Sequence, residues 1–321
     1  ISGSPIADVS ALGSILIPVM KEKGYDDDYA VNVTVTSSIA GIIIPPSHNM
    51  IIYAVAAGGS LSISKLFLAG FFPGVLMCLC LAAVSYLVAV KRGYTSEVFP
   101  GFVVLFKNFF TALPGLFTAI IIVGGVLSGI FTVTESGAFG AIYAFLATII
   151  VYRALTWDKF KLAVTNSVRT TSMVMILIAC SGAFAYLLTF YQVPEKMASF
   201  LTGISDNPVV ILLMINLMLL FLGMIMDMAA LILICTPIFL PIAVSIGIDP
   251  YQFGMLLMMN LGLGLCTPPV GSCLFVGCAV GDVRLEDAVK TIWPFYLAIL
   301  IALMLVTFIP AISMTLPNLI G

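Results

Sequence analysis

The 321-residue sequence contains very few charges: Asp, Glu, Lys and Arg make up 9% of its residues, and the net charge is −2. Soluble domains have about 25% charged residues. Hydrophobic residues make up 61% of this chain, and the mean hydropathy is +1.20. A soluble globular protein is therefore excluded, and an integral membrane protein in a lipid bilayer is predicted. The small net charge gives no reason to expect nucleic acid as a partner.

Histidine is equally scarce, since His48 is the only one in the sequence. The seven cysteines lie in apolar segments without the paired spacing of metal ligands, so we interpret them as small core residues. A metal centre with Cys or His ligands is therefore not expected, and the lack of a phosphate-binding loop argues against ATP hydrolysis. The chain starts at Ile1 with no cleavable leader in view, so we expect the natural protein to begin further upstream.

The sequence does contain apolar runs of about 20 residues, the length that a helix needs to cross a bilayer. Outer-membrane strands would be about half as long and would alternate, so the predicted fold is an all-α polytopic membrane protein. Polar stretches at residues 21–28, 91–100, 153–169 and 192–207 are predicted to be connecting loops. The last span is predicted over residues 293–314.

Two of the apolar runs are interrupted by the same kind of motif. Residues 261–274 read LGLGLCTPPVGSCL, and residues 39–52 read IAGIIIPPSHNMII. When the two Pro-Pro pairs are aligned, Gly41 falls opposite Gly264 and Ser47 opposite Val270. Backbone groups freed in a bilayer must face protein or a polar cavity, and paired broken segments indicate the substrate and ion sites of secondary transporters.

Each broken segment follows a stretch that looks like part of a re-entrant hairpin. Asp8 and Asp227 each lie ten residues before a proline, Pro18 and Pro237. Residues 5–20 are too short to span and are predicted to be the second arm of one hairpin, with Ser4 as the helix N-cap. Residues 208–246 are predicted to be two short helices that meet at a tip, although two full crossings give the same charge distribution.

The distribution of Lys and Arg supports opposite orientations for the two halves. When the chain is traced through these spans, all Lys and Arg residues except Lys65 and Lys196 fall on one face, which the positive-inside rule makes cytoplasmic. The first hairpin then opens to the cytoplasm and the second to the outside. The two halves are therefore predicted to form inverted repeats.

A helix break places carbonyl oxygens and N–H groups at one point, which suits Na+ on one side and an anion on the other. Backbone oxygens near the breaks and hairpin tips are therefore the predicted Na+ ligands. One Na+ site is predicted at Gly223, Gly264, Thr267 and Val270. Its symmetry mate is predicted at Ser4, Gly41, Ile44 and Ser47.

The remaining polar residues at membrane depth have more than one interpretation. Asp8 and Asp227 are functional candidates, but either could simply cap a hairpin tip. A protein of another class, an intramembrane aspartyl protease, would need these two carboxyl groups within hydrogen-bonding reach. His48 could be structural or could contact substrate. A channel is disfavoured because few segments have a polar stripe.

On these residues the chain resembles the large membrane subunit of tripartite ATP-independent periplasmic (TRAP) transporters. The matching stretches are residues 4–18, 38–53, 67–74, 131–141, 222–241 and 260–275. The resemblance implies Na+-driven uptake of an organic acid at the bacterial inner membrane. The expected partners are a soluble periplasmic substrate-binding protein and a small four-helix membrane subunit.

The resemblance also implies an elevator mechanism, in which a transport domain slides against a scaffold. Residues 1–90 and 208–321 would form the two transport-domain repeats, and residues 91–207 the scaffold. The run PPSHNMIIY at residues 45–53 is similar to the sialic acid branch, so N-acetylneuraminate is the expected substrate, with C4-dicarboxylates or other sugar acids as alternatives. Its polar contacts are predicted to be Ser2, Ser4, Ser47, His48 and Asp227.

Overall fold

The structure is a computed structural model that describes residues 3–94 and 101–320. In these residues it contains α-helices and no β-strand, which confirms the all-α prediction. The helices are α1 (Pro5–Glu22), α2 (Asp27–Ser37), α3 (Ala40–Ile43), α4 (His48–Ala56), α5 (Ile63–Arg92), α6 (Phe102–Leu127), α7 (Val133–Ile150), α8 (Trp157–Phe190), α9 (Val193–Ile204), α10 (Pro208–Gly223), α11 (Met228–Ser245), α12 (Pro250–Leu265), α13 (Ser272–Gly281), α14 (Leu285–Thr291), α15 (Trp293–Phe308) and α16 (Pro310–Ile320).

Several of these helices have the length and composition of membrane spans. Among the described residues α5, α6, α7, α8 and α11 qualify, and the number rises from 5 to 7 if each of two bent pairs is one span. One bent pair joins Asp27–Ile43 to α4 at 51°, and the other joins α14 to α15 at 55°. These features agree with a multi-pass membrane protein.

The predicted interruptions are present where the prolines and glycines fall. The first broken segment is not helical at residues 44–47, and the second is not helical at residues 266–271. Ser4 is the N-cap of α1, as predicted, and its Oγ accepts a hydrogen bond from the Ala7 N–H at 3.5 Å. Residues 208–246 form two helices, α10 and α11, that meet at a four-residue tip at 224–227.

Two connector predictions were wrong because charged residues lie within helices there. The predicted loop at residues 153–169 is mostly the start of α8, whose 34 residues at about 1.5 Å each exceed a hydrocarbon core of about 30 Å. Lys and Arg are good helix formers, so a helix can continue beyond the apolar run. Residues 193–204 form α9 instead of a loop. The loop predicted at residues 21–28 is present, at residues 23–26 between α1 and α2. The last predicted span ends early, at Phe308, and α16 follows.

The chain divides into two compact units, one made of residues 1–94 and 177–321 and the other of residues 95–176, with the boundary inside α8. In the second unit α6 and α7 form an antiparallel pair. The Ser136 hydroxyl donates to the Ile122 carbonyl at 2.6 Å, and near the other end the Tyr152 hydroxyl accepts from the Gly115 N–H at 3.0 Å. A capping box between Thr132 and Glu135 starts α7.

In the first unit α1 and α11 pack in a reciprocal way. Helix α1 packs against α2 of its own half and against α13 of the other half. Helix α11 likewise packs against α12 of its own half and against α4 of the other half. Each of these helices therefore contacts the first part of its own broken segment and the second part of the other one.

Polar contacts join the broken segments at both ends of the first unit. At one end Lys21 forms an ion pair with Asp27 at 3.1 Å and donates to the Gly281 carbonyl, which brings the start of α2 next to the end of α13. At the other end the Tyr53 hydroxyl donates to the Pro250 carbonyl at 2.6 Å, which joins α4 to the start of α12.

Candidate functional site

The second break exposes backbone groups where α12 ends. The Thr267 N–H donates to the Gly264 carbonyl at 2.9 Å, and the Thr267 hydroxyl donates to the Leu263 carbonyl at 2.7 Å. The Leu263 carbonyl also accepts from the Cys266 N–H at 3.1 Å, which uses both of its lone pairs. The Gly264 carbonyl and the Thr267 hydroxyl oxygen each keep a lone pair that can accept a further ligand. The end of α12 therefore has the partial negative charge that the sequence predicted there.

The tip of the α10–α11 hairpin lies directly on this break. A Cβ atom added to Gly264 would lie 2.6 Å from the Gly223 Cα and 2.8 Å from the Gly223 carbonyl oxygen. The Val270 N–H donates to the Met224 carbonyl at 3.1 Å. Only glycine permits this backbone approach, and it brings all four residues of the first predicted Na+ site into one region.

Asp227 caps α11 at the same tip. Its Oδ2 accepts a hydrogen bond from the Ala229 N–H at 3.0 Å, and the side chain is exposed. The capping interpretation of Asp227 is therefore confirmed. A capping carboxylate has a second oxygen that can accept another hydrogen bond, so a substrate contact stays a prediction.

The first break is contacted by a carboxylate. Asp8 lies against Gly41, where an added Cβ would lie 2.5 Å from the Asp8 Oδ2. Both residues line a cavity of about 280 Å³, together with the polar residues Thr34, Ser37 and Ser38. Gly41 therefore contacts the Asp8 side chain, whereas Gly264 contacts the backbone of Gly223.

The tip before α1 contacts the start of α4. A Cβ atom added to Gly3 would lie 2.9 Å from both the backbone nitrogen and the Nδ1 of His48, and 3.2 Å from the Ser47 Cα. The Gly3 carbonyl accepts a hydrogen bond from the Asn49 side chain at 2.9 Å. Gly3 also has φ +71, a conformation that favours glycine.

Ser47 is the least satisfied of the predicted site residues. It is 1% exposed, and its hydroxyl has no hydrogen-bond partner among the residues that the structure describes, although it precedes the first turn of α4. A buried hydroxyl without a partner is costly. The N–H groups of the first turn of α4 lie beside it, and the N-terminus of a helix favours an anion.

The two breaks are close to each other. Ile39 and Ile42, which flank the first break, contact Gly262 of α12, where an added Cβ would lie 2.7 Å from the Ile39 Cγ2. The Cys266 thiol also approaches the Val35 carbonyl of α2 at 3.6 Å. Both sets of predicted Na+ ligands are therefore carried by one packed unit.

The predicted residues fall into three groups. Gly223, Gly264, Thr267 and Val270 form one cluster. Gly41 and Ile44 line the Asp8 cavity, while Ser4 adjoins the Gly3 tip that contacts Ser47 and His48. Ser2 lies outside the described residues.

Neither the role of Asn49 nor the contact of Asp8 with Gly41 was predicted from the sequence. Asn49 follows Ser47 and His48 at the start of a half-helix, and that polar run was the available signal. No local pattern could place Asp8 against Gly41, because they belong to different helices. Asp8 lies at the first break, whereas Asp227 lies at the N-terminus of α11, so the two carboxyl groups have different neighbours.

Comparison with known proteins gives a consistent result. Residues 1–312 match the family described as "Tripartite ATP-independent periplasmic transporter, DctM component". The chain is 41% identical over 319 residues to the uncharacterized protein YgiK of Salmonella typhimurium, covering 99% of this chain and 73% of that protein.

Two further relatives have names that state a substrate. The sialic acid TRAP transporter large permease protein SiaM of Vibrio cholerae is 38% identical over 318 residues, covering 99% of this chain and 74% of that protein. The C4-dicarboxylate TRAP transporter large permease protein DctM of Pseudomonas aeruginosa is 38% identical over 321 residues, covering 100% and 75%.

Proposed function

Because this chain belongs to the DctM component of the tripartite ATP-independent periplasmic transporter family, we propose that it couples Na+ entry to the uptake of an organic acid, N-acetylneuraminate. The family consists of inner-membrane transporters and not of enzymes, so the protease interpretation of Asp8 and Asp227 is rejected. The apolar helices agree with a multi-pass protein of the bacterial inner membrane.

The observation that carries the Na+ proposal is the contact between Gly223 and Gly264. It holds a hairpin tip against the carbonyl end of a broken helix, and the Val270–Met224 hydrogen bond fastens the same region. Unwound backbone carbonyls and half-helix C-termini are the groups that coordinate Na+ in secondary transporters. Gly223, Gly264, Thr267 and Val270 would supply these oxygens.

The second Na+ would bind at the first break, through Ser4, Gly41, Ile44 and Ser47. The Asp8 carboxylate beside Gly41 adds negative charge there. The hydroxyls of Thr34 and Ser38 donate to carbonyls of their own helix at 2.8 Å and 2.7 Å, which leaves oxygen lone pairs free. Hard cations prefer such oxygen ligands, so the composition of this cavity supports a cation.

The substrate carboxylate would bind at the start of α4. The Ser47 hydroxyl has no partner within the described residues, and N–H groups at the N-terminus of a helix attract anions. Ser4 and His48 adjoin the same tip, and Ser2 precedes it in the sequence. Asp227 would accept hydrogen bonds from substrate hydroxyls through the oxygen that does not cap α11.

An elevator with inverted repeats is supported by the packing of the first unit. The start of α2 meets the end of α13, and α4 meets the start of α12, as expected for two broken helices that run in opposite directions. The reciprocal packing of α1 and α11 agrees with the same symmetry. On the resemblance to the family, the transport domain would consist of residues 1–90 and 208–321 and the scaffold of residues 91–207.

The choice of sialic acid rests on the run at residues 45–53. Overall identity does not decide the substrate, because the sialic acid and C4-dicarboxylate relatives are both 38% identical to this chain. C4-dicarboxylates or other sugar acids are therefore the alternatives. The family context implies a periplasmic binding protein that delivers the substrate and a small four-helix membrane subunit.

The decisive experiment is uptake into proteoliposomes that contain the full-length protein, its small subunit and its binding protein. Labelled N-acetylneuraminate should accumulate only with an inward Na+ gradient, and K+ should not replace Na+. Uptake that ignores Na+ or requires ATP would refute the coupling. Uptake of succinate but not of N-acetylneuraminate would keep the coupling and reject the sialic acid assignment.

A further inference from the structure

Two buried asparagines join the hairpin arm α10 to the broken helix α12. Asn216 is the only polar side chain of α10 and is 4% exposed, and Asn260 is fully buried in α12. The Asn260 Nδ2 donates to the Asn216 Oδ1. Each amide also donates to the carbonyl four residues earlier in its own helix, Leu212 or Leu256, at 3.0 Å.

The asparagine pair lies on the same helix faces as the glycine contact. Asn260 precedes Gly264 by one helical turn, and Asn216 precedes Gly223 by seven residues, which is about two turns at roughly 3.6 residues per turn. The hydrogen bond and the Gly223–Gly264 contact are therefore two points of one helix interface. The hydrogen bond lies below the tip and the glycine contact lies at it.

The rest of this interface is apolar and does not specify how far one helix slides along the other. Leucine and isoleucine pack similarly after a small shift, whereas a shift would break the bond from the Asn260 Nδ2 to the Asn216 Oδ1 and leave that buried oxygen without its partner. A single buried polar contact can determine helix register in this way. The Asn260 Oδ1 already lacks a partner among the described residues, so a shift would add a second buried amide oxygen without a hydrogen bond.

We propose that Asn216 and Asn260 act as a register clamp, a pair of positioning residues that holds the Gly223 carbonyl against Gly264. The clamp does not contact the ion. It sets the position of the hairpin tip, and through it the spacing of the backbone oxygens at the second break. This inference rests on the proposed Na+ site, and the tests below separate the two.

The chain offers a matched control in Asn32. This residue is also fully buried, and it joins α2 to α14 by donating to the Ala288 carbonyl at 3.0 Å and to the Thr291 hydroxyl at 2.9 Å. Its Oδ1 also lacks a partner in the described part of the chain. Asn32→Leu should therefore disturb packing to a similar degree without acting on the α10–α12 register.

The first test measures Na+ dependence of uptake by the full transporter carrying Asn216→Leu, Asn260→Leu, both changes, or Asn32→Leu. We expect each change in the clamp to raise the Na+ concentration for half-maximal uptake about 3- to 30-fold. The substrate KM at saturating Na+ should hardly change. The double variant should be no worse than the worse single variant, because both remove one contact. A clamp variant that shifts Na+ dependence no more than Asn32→Leu would overturn the proposal.

The second test does not depend on Na+ coupling. Hydrogen exchange of the peptide covering residues 267–271 reports the Val270 N–H, which is bonded to the Met224 carbonyl at the tip. Its exchange should be faster in the clamp variants and unchanged in Asn32→Leu. If wild-type uptake ignores Na+, the function proposal fails, but this measurement still decides the clamp. Asn260→Gln retains an amide and serves if a leucine variant does not fold.

Discussion

The backbones of Gly264 and Gly223 lie so close together at the second break that one added methyl group should have a measurable effect. In Gly264→Ala the new Cβ would lie 2.6 Å from the Gly223 Cα, whereas non-bonded carbon atoms prefer about 3.5–4.0 Å. The Gly223 atoms that this methyl group would meet are all backbone atoms, so no side chain can rotate away. The hairpin tip and α12 must therefore separate by roughly 1 Å.

A separation of this size is large for ion coordination. The hard cation Ca²⁺, for comparison, holds oxygen ligands within about 2.3–2.6 Å, so a displaced Gly223 carbonyl would no longer be a ligand. Overpacking costs about 1–3 kcal/mol. If Na+ binding must draw the tip back against that cost, Na+ affinity should fall about 5- to 150-fold.

The assay is the initial rate of uptake at saturating substrate as external Na+ is varied. The half-saturating Na+ concentration should rise by the factor above, while the amount of folded protein changes little. Stabilisation of the purified protein by Na+ relative to K+ in a thermal unfolding assay should fall in parallel, because ligand stabilisation follows affinity.

Gly262→Ala is the matched control. It lies on the same helix and makes the same change, but its Cβ would meet the side chains of Ile39 and Ile42, which can move. It should leave Na+ dependence within about threefold of wild type. An unchanged Na+ dependence in Gly264→Ala, or equal effects of both substitutions, would refute the assignment of this break as a Na+ site.

Three further predictions follow from other contacts. Gly70→Ala would place a methyl against the Ile43 carbonyl at the first break and should lower uptake at least tenfold, whereas Gly182→Ala, with no neighbour within 4 Å, should not. Ser47→Ala removes the buried hydroxyl that has no partner within the described parts of the chain. It should raise the substrate KM about 5- to 10-fold with little change in thermal stability, and an unchanged KM would count against this carboxylate site. Arg92→Ala breaks ion pairs to Asp26 and Asp28, both at 2.8 Å, and should lower the unfolding temperature in low salt more than in high salt; equal losses at both salt concentrations would contradict an electrostatic role.

Much of the architecture could be predicted because its signals are local. The Pro-Pro pairs and glycines at residues 41–47 and 264–271 interrupt helices wherever the chain folds, since proline lacks an N–H and glycine weakens helix propensity. The N-caps Ser4 and Asp227 were recognisable from their positions before apolar runs. The connector errors near Trp157 and Val193 arose because charge was taken as a sign of a loop.

The sequence by itself determined that the protein lies in a membrane, that two of its segments are broken, and which residues flank each break. Only the tertiary structure decided which groups meet there. Gly264 touches Gly223, Asp8 faces Gly41, and Asn260 pairs with a residue 44 positions away. Helix interruption depends on neighbouring residues in the chain, whereas these contacts depend on how distant helices pack, and one apolar helix face resembles another until the fold selects its partner.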